Sequence, residues 1–325
     1  QWVSRLPTMT ATELEHLPLA TALMAEVGVG DLDYLQTQDR HSATVGALGA
    51  SVSSRAHRDD EQSSDSYFVL SSKALADKMD GQLALMSDTL SSARFDELSR
   101  IRDLVSQIRA RRDQGITGSG HALAMSAACA GMSPLARLGH EQGGLEGIRR
   151  IRALDDALAD DGELETLAAS LSALHQKLSQ SGTPFLCTIA DEPNLTAAAE
   201  AALSVVISPT CANTDTWQGS PIREVRREMW VTNTQVNFCA RAYPTVPSGH
   251  PDAPILSVLG AFLRNGYLHT SIREQGGAYG GGASHDANIA AFRFFSYRDP
   301  RLVDNLADFD ASVRWLLEHT HDALA

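Results

Sequence analysis

Hydrophobic side chains recur at helical spacing along most of this chain. Between residues 95 and 113 the apolar residues form one stripe and the arginines take the opposite face, which is typical of an amphipathic helix with a solvated side. Pro18 interrupts the first such pattern and is expected to open a new helical turn, because proline lacks a backbone N–H. Asp31 and Asn194 are the expected N-caps of the helices that they begin. The predicted helices span residues 11–27, 31–41, 74–90, 95–113, 121–132, 145–158, 164–180, 194–206 and 302–319.

Apolar runs with a period of two predict strands between these helices. A strand at 43–56 and a buried strand at 67–74 are separated by a polar turn at 57–66, which favours a hairpin with a helix behind it. In the second half, strands are expected at 183–191 and over most of 228–246. The mixture of helices and paired strands predicts an α+β protein.

The chain aligns with itself, without a gap, when residues 18–50 are shifted by 233 positions. The order of elements also recurs: a long helix, a short helix, a strand of small residues, a polar turn, a second strand and a helix. Such self-similarity is the signature of a duplicated structural unit. The matched pairs are Pro18 with Pro251, Leu23 with Leu256, Tyr34 with Tyr267, Leu35 with Leu268, Thr37 with Thr270, Arg40 with Arg273, Gly49 with Gly282 and Ala50 with Ala283.

The alignment predicts two homologous domains, at residues 1–160 and 161–325, each an open sheet covered by helices on one face. Both copies keep the arginine, but Tyr279 of the second copy falls on Gly46 of the first. The second copy alone combines Arg273, a run of glycines and a tyrosine. We therefore expect a functional site in the second copy and a supporting role for the first.

Composition and charge exclude several classes of function. The 325 residues are 43% hydrophobic and carry a net charge of −13, so most of the surface repels nucleic acid. No run of 18 apolar residues is present, which argues against a membrane partner, and no secretory leader precedes the first strand-like residues. These features favour a cytoplasmic location. The abrupt start at Gln1 and Trp2 suggests a piece of a larger polypeptide.

The four cysteines show no metal-binding or disulfide spacing. They are widely separated, with no C-x-x-C pair, so buried thiols in a reducing compartment are the expected state. Two of them, Cys187 and Cys239, lie in apolar strand-like runs and are predicted to be buried. The four positions are Cys129, Cys187, Cys211 and Cys239.

Residues 251–300 contain the pattern most typical of a site: an apolar helix, Arg273, a glycine-dense turn with Tyr279, and a strand. A phosphate-binding loop is excluded, because no lysine follows the glycines and because this turn closes a helix, whereas phosphate loops open one. A purely structural interpretation stays open. In it, Gly276 or Gly277 forms a left-handed helix cap and Tyr279 is partly buried.

Gly280, Gly281 and Gly282 favour a functional interpretation. Three successive glycines weaken a strand, but they leave room for another backbone to lie along its edge, as an extended peptide does when it adds to a sheet. Beside that edge, Arg273 would bind a peptide carbonyl and Tyr279 would donate a hydrogen bond to a developing oxyanion.

At these residues the chain resembles the pitrilysin/insulinase family of zinc metallopeptidases, in its presequence-protease branch. The resemblance covers essentially the whole chain. It rests on GYLHTSIREQGGAYGGGA at 266–283 and FRFFSYRDPRL at 292–302, with weaker support from LPLATALMAEVGVGDLDYLQTQ at 17–38, SGHALAM at 119–125 and QVNFCARAYPTVPSGHPDAP at 235–254.

The resemblance implies that this chain corresponds to the C-terminal half of such a protease, with 1–160 and 161–325 as its third and fourth domains. In the family, an arginine and a tyrosine from the last domain reach the active site, and Arg273 and Tyr279 match them. No H-x-x-E-H occurs in this chain, so no metal ligand is assigned and no cofactor is expected here. The zinc would belong to a missing N-terminal half, fused or separate.

The resulting hypothesis is the C-terminal half of a zinc metalloendopeptidase for short unstructured peptides. The half would form chamber wall, position substrate and be inactive without its zinc-bearing partner. Two alternatives stay open. One is a non-catalytic peptide-binding or scaffold subunit. The other is a structural half in which Arg273 and Tyr279 only cap a helix.

Overall fold

A computed structural model describes residues 1–180, 184–204 and 215–320 of the chain. The chain forms two compact units, each assembled from three segments. Unit 1 comprises Gln1–Ser54, Asp65–Ala110 and Arg150–Gln218, and unit 2 comprises Arg55–Ser64, Arg111–Arg149 and Gly219–Ala325. The predicted domains at 1–160 and 161–325 follow the two copies of the sequence repeat. They divide the chain differently from these compact units, and they stay a prediction.

Helices dominate the described residues, and strands form two small sheets. A π-helical segment, Arg264–Gln275, continues the tenth α-helix, and a short 3₁₀ turn spans Ala76–Lys78. The α-helices are α1 Ala11–Leu23, α2 Tyr34–Thr44, α3 Met79–Ser92, α4 Leu98–Gly118, α5 Gly120–Cys129, α6 Pro134–Gly143, α7 Leu145–Ala157, α8 Asp161–Ser179, α9 Glu192–Ser204, α10 Ala253–Leu263 and α11 Val303–Glu318. The strands are β1 Trp2–Arg5, β2 Ala47–His57, β3 Asp60–Lys73, β4 Phe185–Leu186, β5 Ala240–Pro244, β6 Gly280–Asp286 and β7 Ala291–Tyr297.

Unit 1 contains a four-stranded sheet with the order β2-β3-β1-β4. Strand β1 pairs antiparallel with β3 and with β4. The apolar faces of α1 and α8 are buried in this unit, and Leu17 and Leu171 are almost fully inaccessible to solvent. Lys177 of α8 binds the Glu13 carboxylate of α1 at 2.7 Å, and Glu13 also accepts the backbone N–H of Thr10. A capping box thereby fixes where α1 begins.

Unit 2 contains a three-stranded antiparallel sheet with the order β5-β7-β6. Phe292 and Phe294 of β7 enter a core with Phe309 of α11 and with residues of α10 and the π-helical segment. The alternate residue Phe295 points to the other face, where its ring lies 5.5 Å from that of His121 in α5. Helices therefore cover both faces of this sheet, whereas the sequence analysis predicted helices on one face.

The two sheets share a topology, as the internal repeat predicted. In each unit a first strand lies beside the middle strand, two helical elements follow it, and the next strand forms an edge: β1-β3-β2 in unit 1 and β5-β7-β6 in unit 2. The α+β fold class with open sheets and covering helices is thus confirmed.

Three of the predicted helix starts, at Pro18, Asp31 and Asn194, differ from the structure. Helix α1 runs unbroken through Pro18, because the burial of its apolar face outweighs the lost hydrogen bond. The N-cap of α2 is Asp33 rather than Asp31, since the Asp33 carboxylate accepts the N–H of Gln36 at 2.8 Å. Asn194 lies inside α9, which begins at Glu192.

The strand predictions fail where side-chain alternation lacks a pairing neighbour. Of the run at 228–246 only β5 is a strand, and of the run at 183–191 only β4 is. The polar stretch at 57–66 is mostly strand, with a turn at 58–59, because β2 and β3 extend further than their apolar residues. Helix α6, opened by the Ser133 cap, was not predicted. The first residue of the strand predicted at 183–191 and the last two of the helix predicted at 194–206 lie outside the described residues.

Within the described part of the chain, no helix is long and apolar enough to cross a bilayer. The cysteines there form no disulfide. Cys129 and Cys239 are buried, and burial raises the pKa of the Cys129 thiol to about 12. Cys187 is exposed, so the prediction that it is buried is wrong: the strand predicted around it ends at Leu186. Cys211 lies outside the described residues.

Candidate functional site

The candidate site is the turn that joins the π-helical segment to strand β6. Gly277 adopts a left-handed backbone with φ of +77°, which only glycine adopts without strain. Its N–H donates to the carbonyl of Arg273 at 3.1 Å, and the N–H of Ala278 donates to the carbonyl of Ile272 at 3.1 Å. The helix cap predicted from the glycines is therefore present, and it fixes the path from Arg273 to Tyr279.

The side chains of Arg273 and Tyr279 both face solvent and lie next to each other. The Arg273 guanidinium carbon is 6.0 Å from the centroid of the Tyr279 ring, the outer limit of a cation–π contact. Tyr279 is 66% exposed, and Arg273 makes no ion pair with any described residue. The structural alternative required a partly buried Tyr279, so this geometry does not favour it.

The Tyr279 ring is held from one side by a second tyrosine. The ring of Tyr297 meets it edge to face, with centroids 5.4 Å apart and an angle of 84° between the planes. The backbone N–H of Tyr279 donates to the carbonyl of Tyr297 at 3.1 Å, so backbone and ring are both supported from β7. The phenol oxygen of Tyr279 makes no hydrogen bond to a described residue.

Further aromatic residues of unit 2 extend this support. Tyr297 packs against Phe238 at 5.7 Å and against the His121 ring at 4.8 Å, and its hydroxyl donates to the carbonyl of Gly118 at 3.4 Å. Burial lowers the pKa of His121, so this ring is neutral at neutral pH. The sequence offered no signal for this cluster, because its members lie up to 179 positions apart.

Strand β6 is an edge of the unit 2 sheet. Among the described strands it is bonded only to β7, so its outer backbone groups face away from the sheet. A side chain at Gly281 would lie 2.8 Å from Ile272, and one at Gly282 would lie 3.2 Å from Arg264 and 3.3 Å from Phe295. Close packing thus accounts for two of the glycines. Gly280 has nothing within 4 Å of an added Cβ, so it is the one that opens the surface.

In the part of the chain that the structure describes, no metal-binding cluster accompanies these residues. The described ranges hold no group of three or more His, Cys, Asp or Glu side chains placed to bind a metal ion. His269, which lies near Arg273 in sequence, pairs with Glu274 of its own segment at 3.4 Å. The arrangement offers a cation, a phenol and a strand edge, which are groups that bind a polar backbone.

Two family descriptions match most of the chain. Residues 1–154 match the associated domain of peptidase family M16, subfamily C, and residues 227–324 match the PreP C-terminal domain. The chain is 28% identical over 321 residues to the mitochondrial presequence protease of Danio rerio, covering 92% of this chain and 31% of that protein. It is 26% identical to presequence protease 1, chloroplastic/mitochondrial, of Arabidopsis thaliana, covering 93% of this chain and 28% of that protein.

Solved structures share the fold at low sequence identity. The periplasmic protease PqqL from Escherichia coli superposes with a TM-score of 0.57 at 15% identity, over 99% of this chain and 34% of that one. A peptidase M16 inactive domain from Pseudomonas fluorescens gives a TM-score of 0.54 at 16% identity, over 98% of this chain and 78% of that one.

The relatives named above are presequence proteases, and their similarity covers residues of both units. A shorter segment of 83 residues is 46% identical to the mitochondrial presequence protease of Kluyveromyces lactis. The chain spans about a third of the length of the relatives that it matches over most of its own length. It belongs to the presequence-protease branch of the pitrilysin/insulinase (M16) peptidase family, in the region of the C-terminal half.

Proposed function

We propose that this chain is the non-zinc half of a zinc metalloendopeptidase that degrades short unstructured peptides. The observation that carries the proposal is the exposed pair at the end of an edge strand: Arg273, without an acidic partner among the described residues, beside Tyr279. In a chain with a net charge of −13, a guanidinium without a carboxylate is available to a ligand. The half supplies chamber wall and substrate positioning.

The geometry supports a division of labour between the two side chains. A peptide that adds to the edge of β6 lies beside Gly280, at the start of the strand, where no side chain obstructs the peptide backbone. Arg273 then donates hydrogen bonds to a peptide carbonyl near the scissile bond. Tyr279 donates a hydrogen bond from its phenol O–H to the carbonyl oxygen as negative charge develops there during attack by water, a contribution made chiefly in the transition state.

The metal and the general base belong to the other half in this proposal. The described residues carry no metal-binding group, so this chain alone is expected to bind peptides weakly and not to cleave them. The partner is a zinc-bearing N-terminal half, in the same polypeptide or as a second subunit. The acidic balance of the chain favours basic peptides as substrates, because unlike charges raise their local concentration. A cytoplasmic location stays a prediction.

The test is Tyr279→Phe in the protease reconstituted with a zinc-bearing half, fused or added in trans. The variant removes one oxygen from an exposed ring. We expect kcat to fall about 100-fold, the usual effect of deleting one oxyanion donor, with KM changed less than about threefold. Cleavage of a short basic peptide with a fluorescence-quenching pair measures both constants.

Tyr243→Phe is the matched control, because Tyr243 is an exposed tyrosine on β5, the opposite edge of the same sheet. It is expected to leave kcat unchanged. An unchanged kcat for Tyr279→Phe would remove the transition-state role. Peptide binding without turnover, even with the zinc-bearing half present, would favour the alternative of a non-catalytic peptide-binding or scaffold subunit.

A further inference from the structure

The turn that carries Tyr279 rests on residues 297–301, which begin at the end of strand β7. The N–H of Tyr279 lies 3.1 Å from the carbonyl oxygen of Tyr297 and 3.4 Å from that of Arg298. Arg298 has φ of +51°, a left-handed conformation that is unfavourable for a residue with a side chain. Strain of this kind persists only where the surrounding structure fixes the backbone, so residues 297–301 form a rigid seat for the turn.

Arg301 is the member of this seat whose side chain fills the space beside Gly276. A Cβ added to Gly276 would overlap with Nη2 and Cζ of Arg301, so the guanidinium occupies the place of the missing side chain. The absence of a side chain at Gly276 and the presence of the guanidinium are therefore two parts of one arrangement. The turn between Arg273 and Tyr279 closes against this planar group.

Two carboxylates hold the Arg301 guanidinium in that place. Its Nε lies 3.4 Å from Oδ1 of Asp299, and the same oxygen accepts the backbone N–H of Arg301 at 2.8 Å. Its Nη2 lies 3.1 Å from Oδ2 of Asp308 in α11, an ion pair without hydrogen-bond geometry. A planar guanidinium held by two carboxylates has a defined orientation, unlike an ammonium group on a flexible chain.

Asp299 is itself fixed by the backbone. It is completely inaccessible to solvent, and its N–H and carbonyl exchange hydrogen bonds with Asn237 at 2.9 and 2.8 Å. The Asn237 amide nitrogen also lies 3.3 Å from the carbonyl oxygens of Asp299 and Arg301. Hydrogen bonds to Asn237 therefore fix the backbone of the seat at Asp299 and at Arg301.

A partly buried ion-pair group of this sort contributes little to stability compared with apolar packing, because taking its charges out of water costs free energy. What it does provide is a fixed direction for the groups around it. We propose that Arg301, held by Asp299 and Asp308, is a positioning residue that sets the spacing and orientation of Arg273 and Tyr279 toward the substrate. This inference rests on the proposed function of those two residues.

The first test measures the turn itself, in the chain as it stands. Hydrogen–deuterium exchange of the backbone amides at 276–279 is compared between the wild type and Arg301→Gln. These amides are hydrogen-bonded in the turn, so loss of the guanidinium is expected to raise their exchange rate about tenfold or more. Exchange in α6, in the same unit as the turn, reports on the folding of that unit and is expected to stay the same. Unchanged exchange at 276–279 would overturn the proposal.

The second test is a kinetic cycle in the protease reconstituted with the zinc-bearing half. Arg301→Gln is expected to lower kcat about 10- to 100-fold with KM within about threefold, because a displacement near 1 Å at a catalytic group costs that much. In the double variant with Tyr279→Phe, the combined loss is expected to lie well below the product of the two single losses, since both changes remove the same contribution. Arg301→Lys, which keeps the charge but not the planar fork, is expected to restore only part of the activity.

Arg241→Gln is the matched control. Arg241 pairs with Asp310 of the same helix α11, and its side chain is similarly accessible, but it lies on β5, away from the turn. It is expected to keep full kcat. A kcat for Arg301→Gln equal to that of Arg241→Gln, or multiplicative losses in the cycle, would overturn the proposal. If Arg301→Gln does not fold, Asp308→Asn, which leaves Asp299 in place, takes its role in both tests under the same criteria.

Failure of the proposed function gives a different pattern. If Tyr279→Phe keeps full kcat while Arg301→Gln raises exchange at 276–279, the turn is held by Arg301 but Tyr279 does not serve catalysis. If Tyr279→Phe loses kcat and Arg301→Gln changes neither exchange nor kcat, the function stands and the positioning role does not.

Discussion

Arg40 in unit 1 and Arg273 in unit 2 occupy equivalent positions in the repeat but have different surroundings. Arg40 of α2 binds the Asp88 carboxylate of α3 at 2.8 Å, so its charge is used inside its own unit. Arg273 has no such partner among the described residues and lies over the ring of Tyr279. Where Tyr279 stands, unit 1 has Gly46, just before β2, whose N–H donates to the carbonyl of Lys73. The Arg40 guanidinium is paired within its unit, and the Arg273 guanidinium has no ion-pair partner among the described residues.

The edge strands that follow the two arginines differ in the same sense. An added Cβ at Gly49 of β2 would have nothing within 4 Å, whereas at the equivalent Gly282 of β6 it would press on Arg264 and Phe295. The π-helical segment therefore lies closer to its strand than a side chain would allow. The two units share a topology, and in the described residues it is unit 2 that combines a tightly packed edge strand with an exposed arginine and tyrosine.

The largest effect is expected from Arg273→Ala in the reconstituted protease. Losing a substrate-binding guanidinium is expected to lower kcat/KM about 10- to 100-fold, while stability changes by less than about 0.5 kcal/mol because the side chain is exposed and without an ion pair in the described structure. Peptide cleavage and urea unfolding of the same preparation measure the two quantities. Loss of stability without loss of activity would make Arg273 equivalent to Arg40.

The next effect concerns the glycines of the two edge strands. Gly281→Ala places a methyl group 2.8 Å from the buried Ile272 side chain and is expected to lower the free energy of unfolding by about 1–3 kcal/mol, as overpacking does. Gly49→Ala enters open space and is expected to be neutral or slightly stabilising. Urea unfolding of both variants compares them. Equal stabilities would show that β6 is no more tightly packed than β2.

Both units are expected to lose stability in mild acid, to a smaller extent. Burial lowers the pKa of His175 in unit 1 and of His121 in unit 2. Because the folded pKa lies below the unfolded value of about 6.5, the unfolded chain takes up protons first as pH falls through that value, and the free energy of unfolding decreases.

His175→Gln keeps an N–H donor for the carbonyl of Thr89, which the His175 ring contacts at 3.0 Å, but it does not titrate. Unfolding in urea at pH 7.5 and at pH 5.5 should therefore differ less for this variant than for the wild type. A wild-type slope retained in His175→Gln would contradict the assignment.

The smallest effect is expected from Arg40→Ala, the structural counterpart of Arg273. Its ion pair with Asp88 is partly exposed, with side-chain accessibilities of 37% and 43%, so its loss should cost about 0.2–1 kcal/mol and leave peptide cleavage unchanged. Asp88→Asn should give a similar loss, and the double variant should lose no more than either single variant. A fall in kcat for Arg40→Ala would remove the functional distinction between the two arginines.

The sequence by itself determined the repeat, the fold class and the position of the candidate site. Apolar periodicity identifies helices such as α4, since side-chain spacing depends only on local geometry. The glycine cap before Tyr279 is likewise local, because Gly277 alone supplies a left-handed residue there. These features need no distant contact.

Only the tertiary structure decided how the site is supported and which glycines are open. The strand predicted over 228–246 exists only where β5 meets β7, because a strand requires a neighbour that no local pattern contains. Arg301 reaches Gly276, and Tyr297 reaches Tyr279, across the fold and not along a helix or strand. The physical reason is the same in each case: packing and hydrogen bonding join residues whose distance along the chain carries no information about their distance in space.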